Sequence, residues 1–161
     1  MMDVMRRSDR AVQKELEIKE ILDVCKVCRL GFATKGAPYI VPMNFGYKYS
    51  DTKLVLYFHC AKTGKKLQFL QQSPQVAIEM DDKHQLIPAD RPCQYGYQYV
   101  SLMGEGIVKI LTDPQDKAHG LNCLMLHQVG KSFSFNSQML EQVVVFQVVV
   151  QKFTCKKCIP F

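Results

Sequence analysis

Apolar and polar residues alternate along most of this chain in short runs, a pattern typical of proteins built mainly from β-strands. Such runs predict strands over residues 27–34, 38–49, 54–59, 75–80, 94–111 and 143–153. The last run, VVVFQVVV, is apolar at almost every position, so we expect both faces of that strand to be covered.

Helical patterning is limited to a few segments between the strands. Apolar residues recur at three- and four-residue steps over residues 14–25, which predicts an amphipathic helix. Residues 64–72 predict a short helix, and Asp113-Pro114 opens another that runs to about residue 128, because proline suits the first helical turn. We expect turns at residues 35–37 and 50–53, loops at 81–93 and 130–136, and a helical turn near Met139.

This order of elements favours an antiparallel architecture. Strands and helices do not alternate regularly, which argues against a parallel Rossmann sheet. The Gly104/Gly106 pair lies inside a predicted strand, so it gives no dinucleotide-binding signal. We therefore predict a mainly β (α+β) fold, a small antiparallel β-barrel with peripheral helices.

Length and composition fit one folded domain. The chain has 161 residues, 47% of them hydrophobic, which is enough for a core. We assign residues 1–153 to the domain and residues 154–161 to a Cys-containing C-terminal tail. No apolar run reaches about 18 residues, and the N-terminus has no apolar leader segment, so we expect a cytoplasmic protein without a membrane span.

Charge and cysteine content narrow the chemistry. The net charge is +6, but the basic residues are scattered, which argues against a nucleic-acid surface. Seven cysteines without a leader segment argue against a disulfide framework. The pairs Cys25/Cys28 and Cys155/Cys158 leave two alternatives open: a metal or redox site, or small buried side chains and a loose tail. The histidines show no metal-ligand spacing, so we expect no catalytic metal.

The strand at residues 54–59 and the turn after it predict a ligand site. Strand alternation places Tyr57 and His59 on the same face, just before the turn Lys62-Thr63-Gly64. Lys65 and Lys66 follow at the start of a helix, where backbone N–H groups favour phosphate. Cations oppose the helix dipole at that end, so two of them need an anion. The segment predicts a site for a phosphorylated aromatic ligand.

Three further features are candidates for the same ligand. His59 has a pKa range suited to proton transfer, although it is equally compatible with a half-buried structural role. Pro42 removes a ladder donor, so Pro42-Met43-Asn44 either contacts a planar ligand or simply protects a sheet edge. Tyr95, Tyr97, Tyr99 and Ser101 share one strand face, which fits a planar cofactor, a dimer interface or cross-strand packing.

Taken in order, these motifs resemble a known family. They occupy residues 28–31, 38–47, 56–61, 64–66, 79–81 and 99–106, the last in the pattern Tyr-x-Ser-x-x-Gly-x-Gly. The chain resembles the Nim-type nitroimidazole-resistance proteins, a group of pyridoxamine 5′-phosphate oxidase-like, FMN-binding split barrels, over residues 5 to 153. Cys60 is a departure, since relatives often have serine at that position.

The resemblance implies a six-stranded split barrel that forms a homodimer, with two FMN sites at the subunit interface. It implies that FMN phosphate binds near Thr63, Lys65 and Lys66. It also implies that groups such as Gln94, Tyr97 and Ser101 come from the other subunit. The implied FMN contacts are Pro42, Met43, Asn44, Tyr57, Phe58, His59, Thr63, Lys65, Lys66, Gln94, Tyr97 and Ser101.

We therefore expect an FMN-dependent oxidoreductase that reduces nitroaromatic or other small electron-poor substrates, with His59 as its catalytic proton donor. The alternative is a non-enzymatic flavin or haem carrier or sensor. A third hypothesis is a cysteine-based redox or zinc module. A pyridoxamine phosphate oxidase in the strict sense is disfavoured, because the sequence has no arginine cluster for that substrate's phosphate.

Overall fold

The computed structural model describes residues 5–158, which form one antiparallel sheet with four α-helices around it. The strands are β1 (Ala11–Val12), β2 (Val27–Phe32), β3 (Tyr39–Asn44), β4 (Gly46–Ser50), β5 (Lys53–Cys60), β6 (Gln75–Ile87), β7 (Gly96–Leu111) and β8 (Val144–Cys158). The helices are α1 (Glu15–Val24), α2 (Lys65–Gln72), α3 (Pro114–Val129) and α4 (Ser137–Glu141). Two 3₁₀ turns lie at Ser8–Arg10 and Pro92–Gln94.

The sheet curls back towards its own beginning. Its strand order is β3-β2-β6-β7-β8-β5-β4, and the short β1 pairs with β8. The strands at the two ends of this order, β3 and β4, are consecutive in the chain and are separated only by Phe45. Together they form one bent strand, so the sheet has the six long strands that we predicted, plus β1. The fold is the expected mainly antiparallel split barrel of the α+β class, and it is not a closed barrel.

Two predicted boundaries inside the sheet were wrong. The strand predicted over residues 38–49 bends at Phe45, where the chain leaves its pairing with β2 and begins its pairing with β5. The predicted loop at 81–93 is partly strand, because β6 continues to Ile87 opposite β7. An irregularity between Asp82 and Gln85 interrupts this ladder. Most side chains there are exposed, so the stretch lacks the apolar alternation that predicts strands.

The end of the chain is also more ordered than we predicted. Strand β8 runs through the proposed domain boundary at residue 153 and pairs with β7 as far as Cys158, so residues 154–158 are not a loose tail. The apolar pattern ends at Phe153, but the backbone ladder does not. Residues 1–4 of the proposed domain and residues 159–161 of the proposed tail lie outside the described residues.

Strand β5 separates two apolar clusters. Leu54, Leu56 and Phe58 lie in the larger cluster inside the curled sheet, where Phe58 stacks on Phe146 with ring centroids 5.2 Å apart. Tyr57 faces the opposite way, into a smaller cluster beneath α3. The alternation predicted for this strand is therefore confirmed, and its outer face is partly covered by a helix.

Helix α3 packs directly on the β3–β4 bend, which we call the joint (Asn44, Phe45 and Gly46). A Cβ atom added to Gly46 would lie only 2.2 Å from the backbone nitrogen of Leu124. Glycine at this position therefore permits a backbone-to-backbone approach that no larger residue allows. The close approach holds α3 against the joint.

His127, in the last turn of α3, continues this contact. Its ring centroid lies 4.7 Å from that of Phe45 and 5.2 Å from that of Tyr47. Nε2 lies 2.8 Å from the backbone oxygen of Cys25, which can only accept, so Nε2 carries the proton and donates. Desolvation of the ring lowers the pKa of His127 below the ordinary value of 6.5.

We expect Gly46→Ala to destabilise the fold by about 2–4 kcal/mol, because the added methyl group must push β4 away from α3. Urea unfolding followed by far-UV circular dichroism measures this change. Gly36→Ala is the matched control, since a Cβ atom at Gly36 meets nothing within 4 Å. Equal stability of the two variants would contradict the close approach.

We expect the free energy of unfolding to fall as the pH drops below 6.5, since the unfolded chain then binds a proton that folded His127 binds less readily. His127→Gln, which does not titrate, should reduce this dependence. Urea titrations across the acidic range measure it. Val129→Ala, at an exposed position in the same turn, is the control. Identical pH dependence in wild type and His127→Gln would show that protonation of His127 is not linked to folding.

Candidate functional site

The turn between β5 and α2 presents an anion-binding helix start. Gly64 adopts a φ of 125°, which favours glycine, and reverses the chain before α2 begins at Lys65. No side chain caps this N-terminus, and the first turn contains no acidic residue. The free N–H groups of the first turn and the exposed Thr63 are therefore available to an anion such as phosphate.

The sequence predicted that Lys65 needs an anion at this helix start, but the structure gives its ammonium group two aromatic partners. Its Nζ atom lies 4.9 Å from the ring centroid of Tyr39 and 5.9 Å from that of Phe69. These two rings are stacked at 5.1 Å, and their faces attract the ammonium group. The aromatic pair thus offsets part of the unfavourable interaction with the helix dipole, so Lys65 by itself does not require an anion.

The charge of Lys66 acts on His59 and on Cys60 at the end of β5. His59 is exposed on the outer face of β5, opposite Val145 of β8. Partial desolvation, followed by the charge of Lys66, lowers the pKa of His59 below 6.5. Burial raises the pKa of the neighbouring Cys60 thiol, and the charge of Lys66 opposes that change. The arrangement favours a neutral imidazole and would bind an anion beside the Lys66 ammonium group.

The predicted ligand contacts in strand β3 lie on both of its faces. Pro42 and Asn44 are exposed on the outer face, whereas Met43 points into the core and is 8% exposed. Pro42 occupies a strand at the end of the sheet order, where its missing N–H group is tolerated. The β4–β5 ladder ends at the pair Gly46–Tyr57. Asn44 precedes Gly46 by two residues and His59 follows Tyr57 by two, so both lie at the same end of this ladder.

The predicted contacts therefore fall into different environments. The charge of Lys66 acts on His59, and Lys65 joins the start of α2 to Tyr39 at the start of β3. The side chains of Met43, Tyr57 and Phe58 are buried in the two apolar clusters. These three residues could meet a ligand on the outer face only through their backbone.

The remaining predicted contacts lie elsewhere. Tyr97 and Ser101 line an open groove of about 480 Å³ on the outer face of β6 and β7, and Gln94 is exposed just before β7. Leu111, which pairs with Val145 beside His59, is ten residues further along β7 than Ser101. At about 3.3 Å per residue this is roughly 33 Å of strand. One chain therefore keeps Ser101 far from His59 along β7, whereas Pro42 lies across β2 and β6 from Met103, on the same face as the groove.

The groove contains a charged network that the sequence did not reveal. Arg29 Nη1 lies 2.8 Å from Glu79 Oε2 and 2.6 Å from Asp81 Oδ1, and His84 Nε2 lies 2.8 Å from Asp81 Oδ2. Alternation along β6 could have placed Glu79 and Asp81 on one face. The pairing of β2 with β6 spans about fifty residues, so no local pattern indicated that Arg29 joins them.

The structure does not support the cysteine-based module. Burial raises the pKa of Cys25, Cys28 and Cys155 to about 12 each, so these thiols stay protonated at neutral pH. Cys155 and Cys158 lie three residues apart in β8 and point to opposite faces, so they cannot act as a redox pair. Within residues 5–158, no group of three or more His, Cys, Asp or Glu side chains could hold a metal ion. None of the helices described there is long and apolar enough to cross a membrane.

Comparison with known proteins agrees with the geometry. The family model described as pyridoxamine 5′-phosphate oxidase matches residues 14–157. No curated protein matches the chain significantly. Among solved structures, a candidate 5-nitroimidazole antibiotic resistance protein from Bacteroides thetaiotaomicron is 31% identical, with 91% of this chain and 85% of that chain covered and a TM-score of 0.77.

Two more distant structures share the fold. The flavocytochrome Anf3 from Azotobacter vinelandii is 18% identical, with 98% and 73% of the two chains covered and a TM-score of 0.78. An FAD and haem binding protein from Mycobacterium smegmatis is 14% identical, with 94% and 75% covered and a TM-score of 0.79. The resemblance that the sequence motifs indicated is confirmed, and this chain belongs to the pyridoxamine 5′-phosphate oxidase family.

Proposed function

We propose that this chain is an FMN-binding oxidoreductase that works as a homodimer and reduces small electron-poor substrates such as nitroaromatics. The main support is Lys66, which lies in the first turn of the uncapped helix α2 and whose charge lowers the pKa of His59. An anion at this helix start would compensate the Lys66 charge and lie beside a group able to transfer protons. The similarity to the candidate nitroimidazole-resistance protein supports the substrate class.

The donor set fits a flavin phosphate. First-turn N–H groups, the Thr63 hydroxyl and the Lys66 ammonium group are all donors, as three anionic phosphate oxygens require. The outer face of β3, with Pro42 and Asn44, would receive the ring system. When bound, FMN would supply hydride or electron transfer that no side chain of the protein can perform.

In this proposal His59 moves the proton. Its lowered pKa makes it a neutral imidazole that has one N–H donor and one acceptor nitrogen. A phosphate beside Lys66 would cancel part of the charge that lowers this pKa, so ligand binding would make protonation of His59 easier. The imidazole could then donate a proton to a reduced substrate near neutral pH.

A second copy would complete the site. Tyr97 is 52% exposed and Met103 is 59% exposed beside the groove on β6 and β7. Exposed aromatic and methionine side chains are enriched in protein interfaces. Docking of this groove against another copy would bring Gln94, Tyr97 and Ser101 to the partner's α2 and β3.

A non-enzymatic flavin or haem carrier is the second candidate function. The observation in its favour is that structures with this fold include a flavocytochrome and an FAD and haem binding protein. The visible spectrum of the protein separates the cofactors, since haem gives a Soret band and flavin does not.

We expect Lys66→Ala to weaken FMN binding by about 10- to 100-fold, the effect of losing one charge-assisted hydrogen bond to phosphate. Titration with FMN, followed by flavin fluorescence, measures the dissociation constant. Lys19→Ala, at an exposed position on α1, should bind as wild type does. Unchanged affinity in Lys66→Ala would mean that the phosphate binds elsewhere.

We expect His59→Gln to retain FMN but to slow reoxidation of the reduced protein by a nitroimidazole about 10²- to 10⁴-fold, as for loss of a general acid. Stopped-flow absorbance in the flavin band measures this rate. A wild-type protein whose flavin reacts with no electron acceptor would instead support the carrier.

A further inference from the structure

The side-chain amide of Gln128, in the last turn of α3, holds the joint. Its Nε2 atom lies 2.9 Å from the backbone oxygen of Phe45 and 3.1 Å from that of Lys26. Both oxygens can only accept, so the NH₂ group must face them. The Oε1 atom therefore points the other way, where it lies 3.4 Å from Nδ2 of Asn44.

This arrangement also determines which way Asn44 faces. Its Nδ2 atom lies 3.4 Å from Gln128 Oε1 and 3.5 Å from the backbone oxygen of Lys26, and both of these atoms are acceptors. The two contacts are long, but only an NH₂ group can make them. Asn44 thus directs its NH₂ group towards the helix, and its Oδ1 atom makes no hydrogen bond within the described part of the chain.

Neighbouring contacts keep this turn of α3 in place. Lys26 Nζ donates to the backbone oxygen of His127 at 2.8 Å, an interaction favoured at a helix C-terminus. His127 in turn donates to the backbone oxygen of Cys25. The connection between α1 and β2 is therefore tied to the same helix end as the joint, so the acceptor atom of Gln128 is fixed relative to β3.

We propose that Gln128 is a positioning residue that turns Asn44 Oδ1 outward to accept a hydrogen bond from an N–H group of the ligand ring, and so selects ring systems that carry this donor. The inference rests on the proposed function, in which a flavin ring lies along β3. The flavin imide has one such donor, the N3–H group. Asn44 is exposed on the outer face and lies at the same end of the β4–β5 ladder as His59.

The test compares FMN with 3-methyl-FMN, which lacks the imide N–H donor, by fluorescence titration. We expect wild type to bind FMN about tenfold more tightly than the methylated analogue, the net effect of one hydrogen bond. In Gln128→Ala the preference should fall to about twofold or less, because Asn44 can then rotate. A purely structural role would lower stability but leave this ratio unchanged.

Two further variants complete the comparison. Asn44→Ala removes the acceptor directly and leaves both carbonyl contacts of Gln128, so it should lose the preference even if Gln128→Ala fails to fold. Gln115→Ala, at an exposed position at the other end of α3, should keep it.

The outcomes separate this inference from the proposed function. FMN binding by wild type without preference over the analogue, or a full preference in either test variant, overturns the role of Gln128 and Asn44 alone. Failure of wild type to bind FMN overturns both.

Discussion

The architecture depends on the bend of the chain at Phe45, which connects β3 and β4, the strands at the two ends of the sheet. Because β3 pairs with β2 and β4 pairs with β5, the sheet must curl until these distant edges meet at one residue. Phe45 is fully buried, and its ring centroid lies 6.4 Å from that of Phe58, so core side chains pack against the inner side of the bend. Helix α3 packs on the outside, where Gly46 leaves room for its backbone.

The proposed site lies next to the same bend. It brings the exposed end of β3, with Asn44, to the end of β5 that bears His59, and α2 begins within five residues of Cys60. In the proposed function, three polar features from separate parts of the chain would border one surface: the amide oxygen of Asn44, the imidazole of His59, and the uncapped start of α2 with Lys66. Loss of the bend would separate them without removing any of them.

Sequence patterns predicted the local parts of this structure and missed the long-range ones. The alternation in β5 correctly separated Leu56 from Tyr57, because period-two burial leaves a direct trace in the sequence. The bend at Phe45 and the continuation of β6 to Ile87 depend on which strands pair, and no neighbouring residue records that pairing. The cation–π contact of Lys65 with Tyr39 and the Gln128–Asn44 contact were hidden for the same reason. The order of the motifs along the chain nevertheless indicated the family, and the family implied the split-barrel fold.

The central claim is that a flavin site is divided between two copies of a split barrel. Sedimentation velocity of the FMN-reconstituted protein, recorded in the flavin absorption band, tests it most directly. Flavin absorbance should sediment with a species of about twice the 18.5 kDa mass of one chain. Flavin that sediments with a single chain, or that stays free in solution beside a folded protein, would contradict the account.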